Sequence, residues 1–317
     1  MKIDESSPSE AETDFSHNGS LRRKKLILFG ASKAGDSALH AYLEKGHDIV
    51  AFSDNNKALH YTKKEGIIIL PPEQLSSVDF DQIVICSQYW LEIYQQLTTH
   101  LAFNKNRVVV VNSSELKSTT FENPSIMSQA RLALRWILNN FNQSAHPYYL
   151  DGGTLLGLAR SGDLIPWDND IDISILKQDS EFYGELLENS LTDLILNTGS
   201  RWKLEHLLYE SSDKAWKEGE LRKIIIRNED FKFNIAIIVR YHNAPHYCYS
   251  AVSCIFSDHE RHFTQNEWLD FYDVRASVPY DYKSFLDNTY GNWETEVREW
   301  SYTDYKNTDF HKGDKCG

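Results

Sequence analysis

Basic side chains are scarce in this chain of 317 residues: 33 Lys and Arg stand against 46 Asp and Glu, a formal net charge of -13. Nucleic-acid binders concentrate Lys and Arg along a phosphate footprint, so the balance argues against nucleic acid as a partner. It argues equally against an anionic membrane surface as a resting place for the whole chain. Long apolar runs are also missing, and no segment approaches the ~20 residues that a transmembrane helix needs. The opening MKIDESSPSEAETDFSHNGS is acidic and Ser-rich, with no apolar h-region, so it does not read as a secretory signal. Residues 1–22 are expected to form a disordered tail, because they carry too few apolar side chains to offset the entropy of ordering. Cysteine is sparse. Cys86, Cys248, Cys254 and Cys316 show no CxxC spacing, and a chain of this length needs no covalent staples. A cytoplasmic location is the simplest expectation. Aromatic residues, at 13%, are plentiful, which gives weak support to contact with sugars.

What is present divides into two parts. From Lys24 to about Glu115, strand and helix patterns alternate. KKLILFG is an apolar run ending in glycine, and SKAGDSALHAYLEKG places Ala38, Leu39, Tyr42 and Leu43 at helical spacing before stopping at Gly46. DIVAFSD, GIIIL, DQIVICS and RVVVVN follow as β-branched runs of the kind buried on both faces of a parallel sheet. Residues 23–116 are therefore expected to form a Rossmann-like parallel-sheet domain. The polar stretch SSELKSTTFENP serves as a linker across which few contacts are expected. Pro124 and Ser125 then open a long helix with Ile126, Ala130, Leu134, Ile137, Leu138 and Phe141 on one face.

The stretch from Tyr148 to Ile175, YYLDGGTLLGLARSGDLIPWDNDIDISI, carries the chemistry. At its end Ile171, Ile173 and Ile175 alternate with Asp170, Asp172 and Ser174, so a strand sends the isoleucines to one face and the aspartates to the other. Same-face residues lie about 6.5–7 Å apart along a strand. Carboxylates at that separation converge on one divalent cation or on two about 4 Å apart. Asp168 shares the parity. No Lys or Arg occurs between Trp167 and Leu176 to neutralise this face, which favours a metal site over a solvated acidic surface. An EF-hand is ruled out, because its Gly at position six and Glu at position twelve are Ile173 and Asp179 here. Upstream, Gly152-Gly153-Thr154 forms a turn into a short helix, where glycines permit close backbone approach and free N–H groups face phosphate oxygens. Arg160 follows on that helix and offers a charge-assisted contact. A Gly-Gly-Thr turn followed by Asp-x-Asp on a strand is the layout of the nucleotidyltransferase fold.

These residues resemble the LicD family, which includes bacterial phosphocholine transferases and the fukutin-related proteins. Gly152-Gly153-Thr154, Leu156-Gly157, Arg160, Ile165-Pro166-Trp167-Asp168 and Asp170-x-Asp172 carry the resemblance. Pro279, Tyr282, Tyr290, Gly291 and Trp293 support it, and the likeness runs roughly from Ile126 to Tyr305. It implies an α/β mixed-sheet, nucleotidyltransferase-like domain over residues 124–310. It also implies transfer of a phospho-alcohol, such as phosphocholine or ribitol phosphate, from a CDP-linked donor to a glycan hydroxyl in polysaccharide or lipopolysaccharide modification. On this reading Asp170 and Asp172 hold Mg²⁺ or Mn²⁺. Gly152, Gly153, Thr154 and Arg160 hold the donor phosphates, and Asp168 is the candidate base. One departure is Asn234 in FKFNIAIIV, where the family usually carries a further Asp; Asn is a weaker ligand and no base. Two competing readings stay open: a nucleotidyltransferase releasing pyrophosphate, and a non-catalytic nucleotide-sugar-binding protein of a glycan assembly system, which Asn234 favours.

The first domain has its own candidate loop. Gly30-x-Ser32-x-x-Gly35 between strand and helix is a degenerate dinucleotide fingerprint, and Asp54 ends the second strand where an acidic residue often takes a ribose hydroxyl. Ser32 replaces the middle glycine, so nucleotide or nucleotide-sugar binding competes with a purely structural sheet.

Overall fold

The computed structural model describes residues 23–117 and 119–312, with the side chain of Lys312 left aside. The expected N-terminal tail and Cys316 lie outside the described residues. The first domain is a six-stranded sheet in the order β3-β4-β2-β1-β5-β6. Its strands are β1 (Lys25–Phe29), β2 (Asp48–Ser53), β3 (Lys63–Lys64), β4 (Ile67–Leu70), β5 (Gln82–Ile85) and β6 (Val108–Val110). All neighbours pair parallel except β3 with β4. The five apolar runs are the five parallel strands, as the sequence pattern requires of strands covered on both faces. Helix α1 (Lys33–Glu44) covers one face through Ala38 and Leu39. A second helix, α2 (Trp90–Gln95), was not legible in the pattern, since its six residues are too few to show a helical period.

The second domain opens with α3 (Pro124–Phe141). Asn123 caps it by accepting from the Ser125 and Ile126 N–H groups, and proline follows where its missing N–H is harmless. Next come β7 (Tyr148–Leu150), α4 (Gly152–Ser161), β8 (Asp170–Leu176) and α5 (Ser180–Thr198). The sheet continues with β9 (Trp202–Leu208), β10 (Leu221–Asn228), β11 (Asn234–Asn243), β12 (His246–Ala251) and β13 (Cys254–His259). Strands β8 and β11 pair parallel, whereas β7 with β8, and the β9–β10–β11–β12–β13 series, pair antiparallel. The sheet is thus mixed. A hairpin of β14 (Asn266–Phe271) and β15 (Val274–Pro279) and helix α6 (Tyr282–Tyr290) complete the body, and α7 (Asp309–Lys312) closes it.

One face of β8 settles the register. Ile171, Ile173 and Ile175 are fully buried in a core shared with α3 and α5. Burying each is worth about 1.5–3 kcal/mol, and a one-residue slip would expose all three while burying the aspartates.

The two domains share a core, contrary to the expectation of few contacts across the linker. Trp90 of α2 packs edge-on against Phe310 at 5.0 Å, in a cluster that includes Cys254 and Phe256 of β13. Ser253 donates to the Gln88 carbonyl at 2.8 Å, and the Ser113 N–H donates to the Trp300 carbonyl at 2.8 Å. The polar linker composition concealed this, because the contacts are made by apolar side chains on either side of it and by the linker's own backbone.

Candidate active site

Asp170 and Asp172 are the first and third residues of β8, on the face opposite the buried isoleucines. Directly behind them lies the start of α4. The Asp151 N–H donates to the Asp172 carbonyl at 3.1 Å, and Thr154 Oγ1 accepts from the Asp172 N–H at 2.9 Å. Thr154 is buried, so its hydroxyl fixes the strand that carries the carboxylates; it does not face the cavity as the sequence reading expected. The two glycines have a steric task. A Cβ on Gly152 would collide with the Asp172 carboxylate, and a Cβ on Gly153 with that of Asp168. Gly152 also has φ +52°, a region that L side chains rarely adopt. Gly153→Ala is therefore expected to displace Asp168 with little effect on folding. Mg²⁺ titration and turnover would both weaken while the melting temperature changes little; unaltered metal affinity and turnover would show that the carboxylate is free to move aside.

Three like charges crowd this floor. Burial and the neighbouring Asp168 push Asp170 up to about 7. Burial, then Asp170, Asp168 and Asp151, push Asp172 well above the usual carboxylate range. Lys223 on β10 opposes both shifts, and its own ammonium is pushed down by burial. Lys117, from the end of the linker, meets Asp168 at 2.5 Å. Among the described residues, no three His, Cys, Asp or Glu side chains are gathered as a ready chelate. The donor set nevertheless fits a hard divalent cation: oxygen atoms only, uncompensated charge on Asp170 and Asp172, and a glycine cradle that keeps the carboxylates clear.

The sheet register places Asn234 of β11 beside Asp170, and Ala236 beside Asp172. Asn234→Asp would therefore add a fourth carboxylate to the same face. Tighter Mg²⁺ binding is expected, together with a lower melting temperature in EDTA from added repulsion. Equal or weaker Mg²⁺ affinity would show that this position does not reach the ion.

These residues floor a cavity of ≈ 320 Å³. Gly153, Arg160 and Trp167 line it beside Asp168, Asp170 and Asp172, and Ser113, Leu116 and Lys117 add a wall from the linker. The far wall is aromatic and comes from the C-terminal segment: Tyr290, Trp293, Trp300, Tyr302 and Tyr305, with Arg298 among them. The nearby aspartates contribute to raising the Tyr302 and Tyr305 hydroxyls, after burial.

Beneath the floor, fully buried Arg240 of β11 holds α4 to the sheet. It donates to Asp151 at 2.5 Å, to Asp258 at 2.8 Å and to Ser174 at 3.0 Å. Asp258 also accepts from Asn288 at 3.2 Å and Asn307 at 3.0 Å, so the network reaches α6 and the C-terminal segment. The pattern IAIIVRY gave one sign of it, an arginine in an otherwise apolar strand.

Comparison with known proteins bears on this geometry directly. Residues 145–282 match the family model described as LicD/FKTN/FKRP, nucleotidyltransferase domain. The second domain belongs to the LicD family. Ribitol 5-phosphate transferase FKRP of Homo sapiens is 39% identical over 56 residues, covering 18% of this chain and 11% of that protein. Ribitol-5-phosphate transferase FKTN of Homo sapiens is 23% identical over 205 residues, covering 59% of this chain and 38% of that protein. The chain thus spans well under half the length of these curated relatives. Residues 22–109 match a second family model, described as C2185-like, N-terminal. A solved UDP-D-quinovosamine 4-dehydrogenase from Vibrio fischeri aligns with 28% of this chain and 78% of its own at 23% identity, with a TM-score of 0.23, too low to carry an argument.

Lys117, Tyr290, Arg298, Tyr302 and Tyr305 all lie outside the segment that matches the LicD family model, yet they wall its cavity. Sequence reasoning named Tyr290 only as part of the resemblance and missed the other four, because their positions follow from how the linker and the C-terminal segment fold over the sheet, and no local spacing announces that.

The first-domain loop is only partly assembled. Gly30, at φ +114°, and Asp54 line a second cavity of ≈ 300 Å³ with Ser87, Tyr89 and Glu92. Ser32 is exposed and does not line it. Gly35 serves packing, since a Cβ there would strike the Gly30 carbonyl. Asp54 accepts from the Ala31 N–H at 2.8 Å and from the Asn56 N–H at 2.8 Å. The carboxylate expected to meet a ribose thus holds its own loop, and it occupies a backbone donor that a pyrophosphate would use.

Proposed function

We propose that the LicD-family domain transfers a phospho-alcohol from a CDP-linked donor to a glycan hydroxyl, with Mg²⁺ or Mn²⁺ as cofactor. The setting is the modification of surface polysaccharide or lipopolysaccharide from the cytoplasmic side. The observation that carries this reading is one cavity holding Asp168, Asp170 and Asp172 on its floor and arginines on its wall. The names of FKRP and FKTN as ribitol phosphate transferases favour a polyol phosphate as the group moved.

Asp170 and Asp172 would hold the cation, which supplies charge neutralisation for a bound diphosphate. Arg160 lines the same space and offers a planar fork of donors to phosphate oxygens. Gly153 lines the same space and leaves room for the Asp168 carboxylate at its floor. Asp168, fixed by Lys117, accepts the hydrogen bond of the incoming hydroxyl. The aromatic wall offers flat faces to a nucleobase or sugar.

The test is a panel of CDP-ribitol, CDP-glycerol and CDP-choline with Mg²⁺ and a glycan acceptor. Release of CMP is expected. Pyrophosphate release from CTP in its place would make the domain a nucleotidyltransferase, and metal binding without turnover of any donor would favour the non-catalytic reading that Asn234 supports.

A further inference from the structure

Two arginines flank one indole at the cavity wall. The Arg298 guanidinium carbon lies 4.5 Å from the Trp167 ring centroid, and that of Arg160 lies 5.7 Å from it. All three side chains line the same cavity as Asp170 and Asp172. Two guanidinium groups sharing one ring repel each other unless an anion lies between or beside them. Neither is held by a buried carboxylate among the described residues. Among the described residues, Arg160 makes no ion pair. Arg298 meets only Glu122 at 3.2 Å and Glu296 at 3.5 Å, whose side chains are 51% and 56% exposed. Exposed pairs of this kind add little stability, so exchanging them for a phosphate costs little.

The surrounding chain supports such an exchange. Arg298 sits in an exposed strap between Trp293, which is buried, and Trp300, whose carbonyl is tied to the Ser113 N–H. The strap is anchored at both ends and held between them by exposed ion pairs, Arg298 with Glu122 and Glu299 with Lys45 at 3.9 Å. Guanidinium forks match phosphate oxygens two at a time, and a ring stacked behind them fixes their plane.

We propose that Arg298 and Arg160, backed by Trp167, form a two-arginine clamp for the diphosphate of the donor, with Arg298 released from Glu122 and Glu296 when the ligand enters. This deepens the transferase reading by assigning a phosphate subsite to a residue beyond the family-matched segment. Glu122 and Glu296 hold the place of the phosphates in the free protein.

Binding of CDP and of inorganic pyrophosphate to the full chain, measured calorimetrically at saturating Mg²⁺, tests the clamp independently of turnover. Arg298→Ala is expected to weaken both ligands about tenfold or more, while Mg²⁺ affinity and melting temperature stay at the wild-type values. Arg298→Lys should recover only part of the loss, because a point charge cannot replace the fork. In turnover, the donor KM should rise far more than kcat falls. Unchanged binding of both ligands in Arg298→Ala overturns the clamp, and so does a parallel loss of Mg²⁺ affinity or stability. If wild type binds pyrophosphate through Arg298 but no cytidine nucleotide, the clamp stands and the CDP-donor reading falls. If wild type binds CDP and the variant binds it equally, the reverse holds. Failure of wild type to bind either ligand sinks both.

Discussion

Asp170→Asn and Asp172→Asn are each expected to lower transferase activity by about 10³-fold, since loss of a metal ligand removes several kcal/mol of charge stabilisation. The metal-free proteins should be as stable as wild type or more so. The reason is the crowding at the mouth of β8, where burial and Asp168 push Asp170 up to about 7. A carboxyl whose pKa is raised on folding binds more protons folded than unfolded between its two pKa values. Stability associated with Asp170 is thus fully present below about 4, its ordinary range, and is lost as pH rises towards about 7. In EDTA, the wild-type melting temperature should fall over that window, and the fall should be smaller in Asp170→Asn. Mg²⁺ affinity of wild type should rise over the same window, because the cation must displace a proton. Thermal melts in EDTA at pH 5 and pH 8 check the first point. A clear loss of metal-free stability in either variant would mean that these carboxylates hold structure.

Arg240→Met should have the opposite signature, a large loss of stability. The guanidinium is fully buried and shared between Asp151 and Asp258, with Tyr249, Phe263 and Phe285 around it at 4.8–5.6 Å. Methionine fills much of the volume but leaves two buried carboxylates without their cation, which costs about 3–5 kcal/mol. Because Asp151 caps α4 at the glycine turn, activity should fall along with stability. Asp258→Asn sets an amide N–H group against either Arg240 or the Asn288 and Asn307 amides, but it leaves Arg240 paired with Asp151 and strands no buried charge, so it should cost less. Chemical denaturation of the two variants decides this. A loss under 1 kcal/mol in Arg240→Met would show that water reaches the cluster and pays the charges' solvation.

Local pattern was enough for the elements that carry the candidate site. Period-2 alternation over Asp170–Ile175 assigned one face of β8 to the core and the other to chemistry, because a pleated strand allows no third option. The Gly-Gly pair before α4 was legible as a place of close approach; that the approaching atoms belong to Asp168 and Asp172 was not. Asn234 was aligned by its following apolar run, and the parallel pairing of β11 with β8 sets it beside Asp170.

Thr154 and Asp54 show where local pattern misleads. Each is a polar residue at a position that often meets ligand, and each spends its oxygen on the chain's own N–H groups, because a buried backbone donor left unpaired costs more than the side chain gains by waiting. Sequence alone determined the parallel strands of the first domain, helix α3 and the aspartate face of β8, since these depend on neighbours a few residues apart. Tertiary structure alone decided that Lys117 faces Asp168, that Arg240 joins Asp151 to Asp258, and that Arg298 and the aromatic wall close over the carboxylates. Those partners lie from 18 to more than a hundred residues apart, and only the packing of one apolar core against the other brings them together.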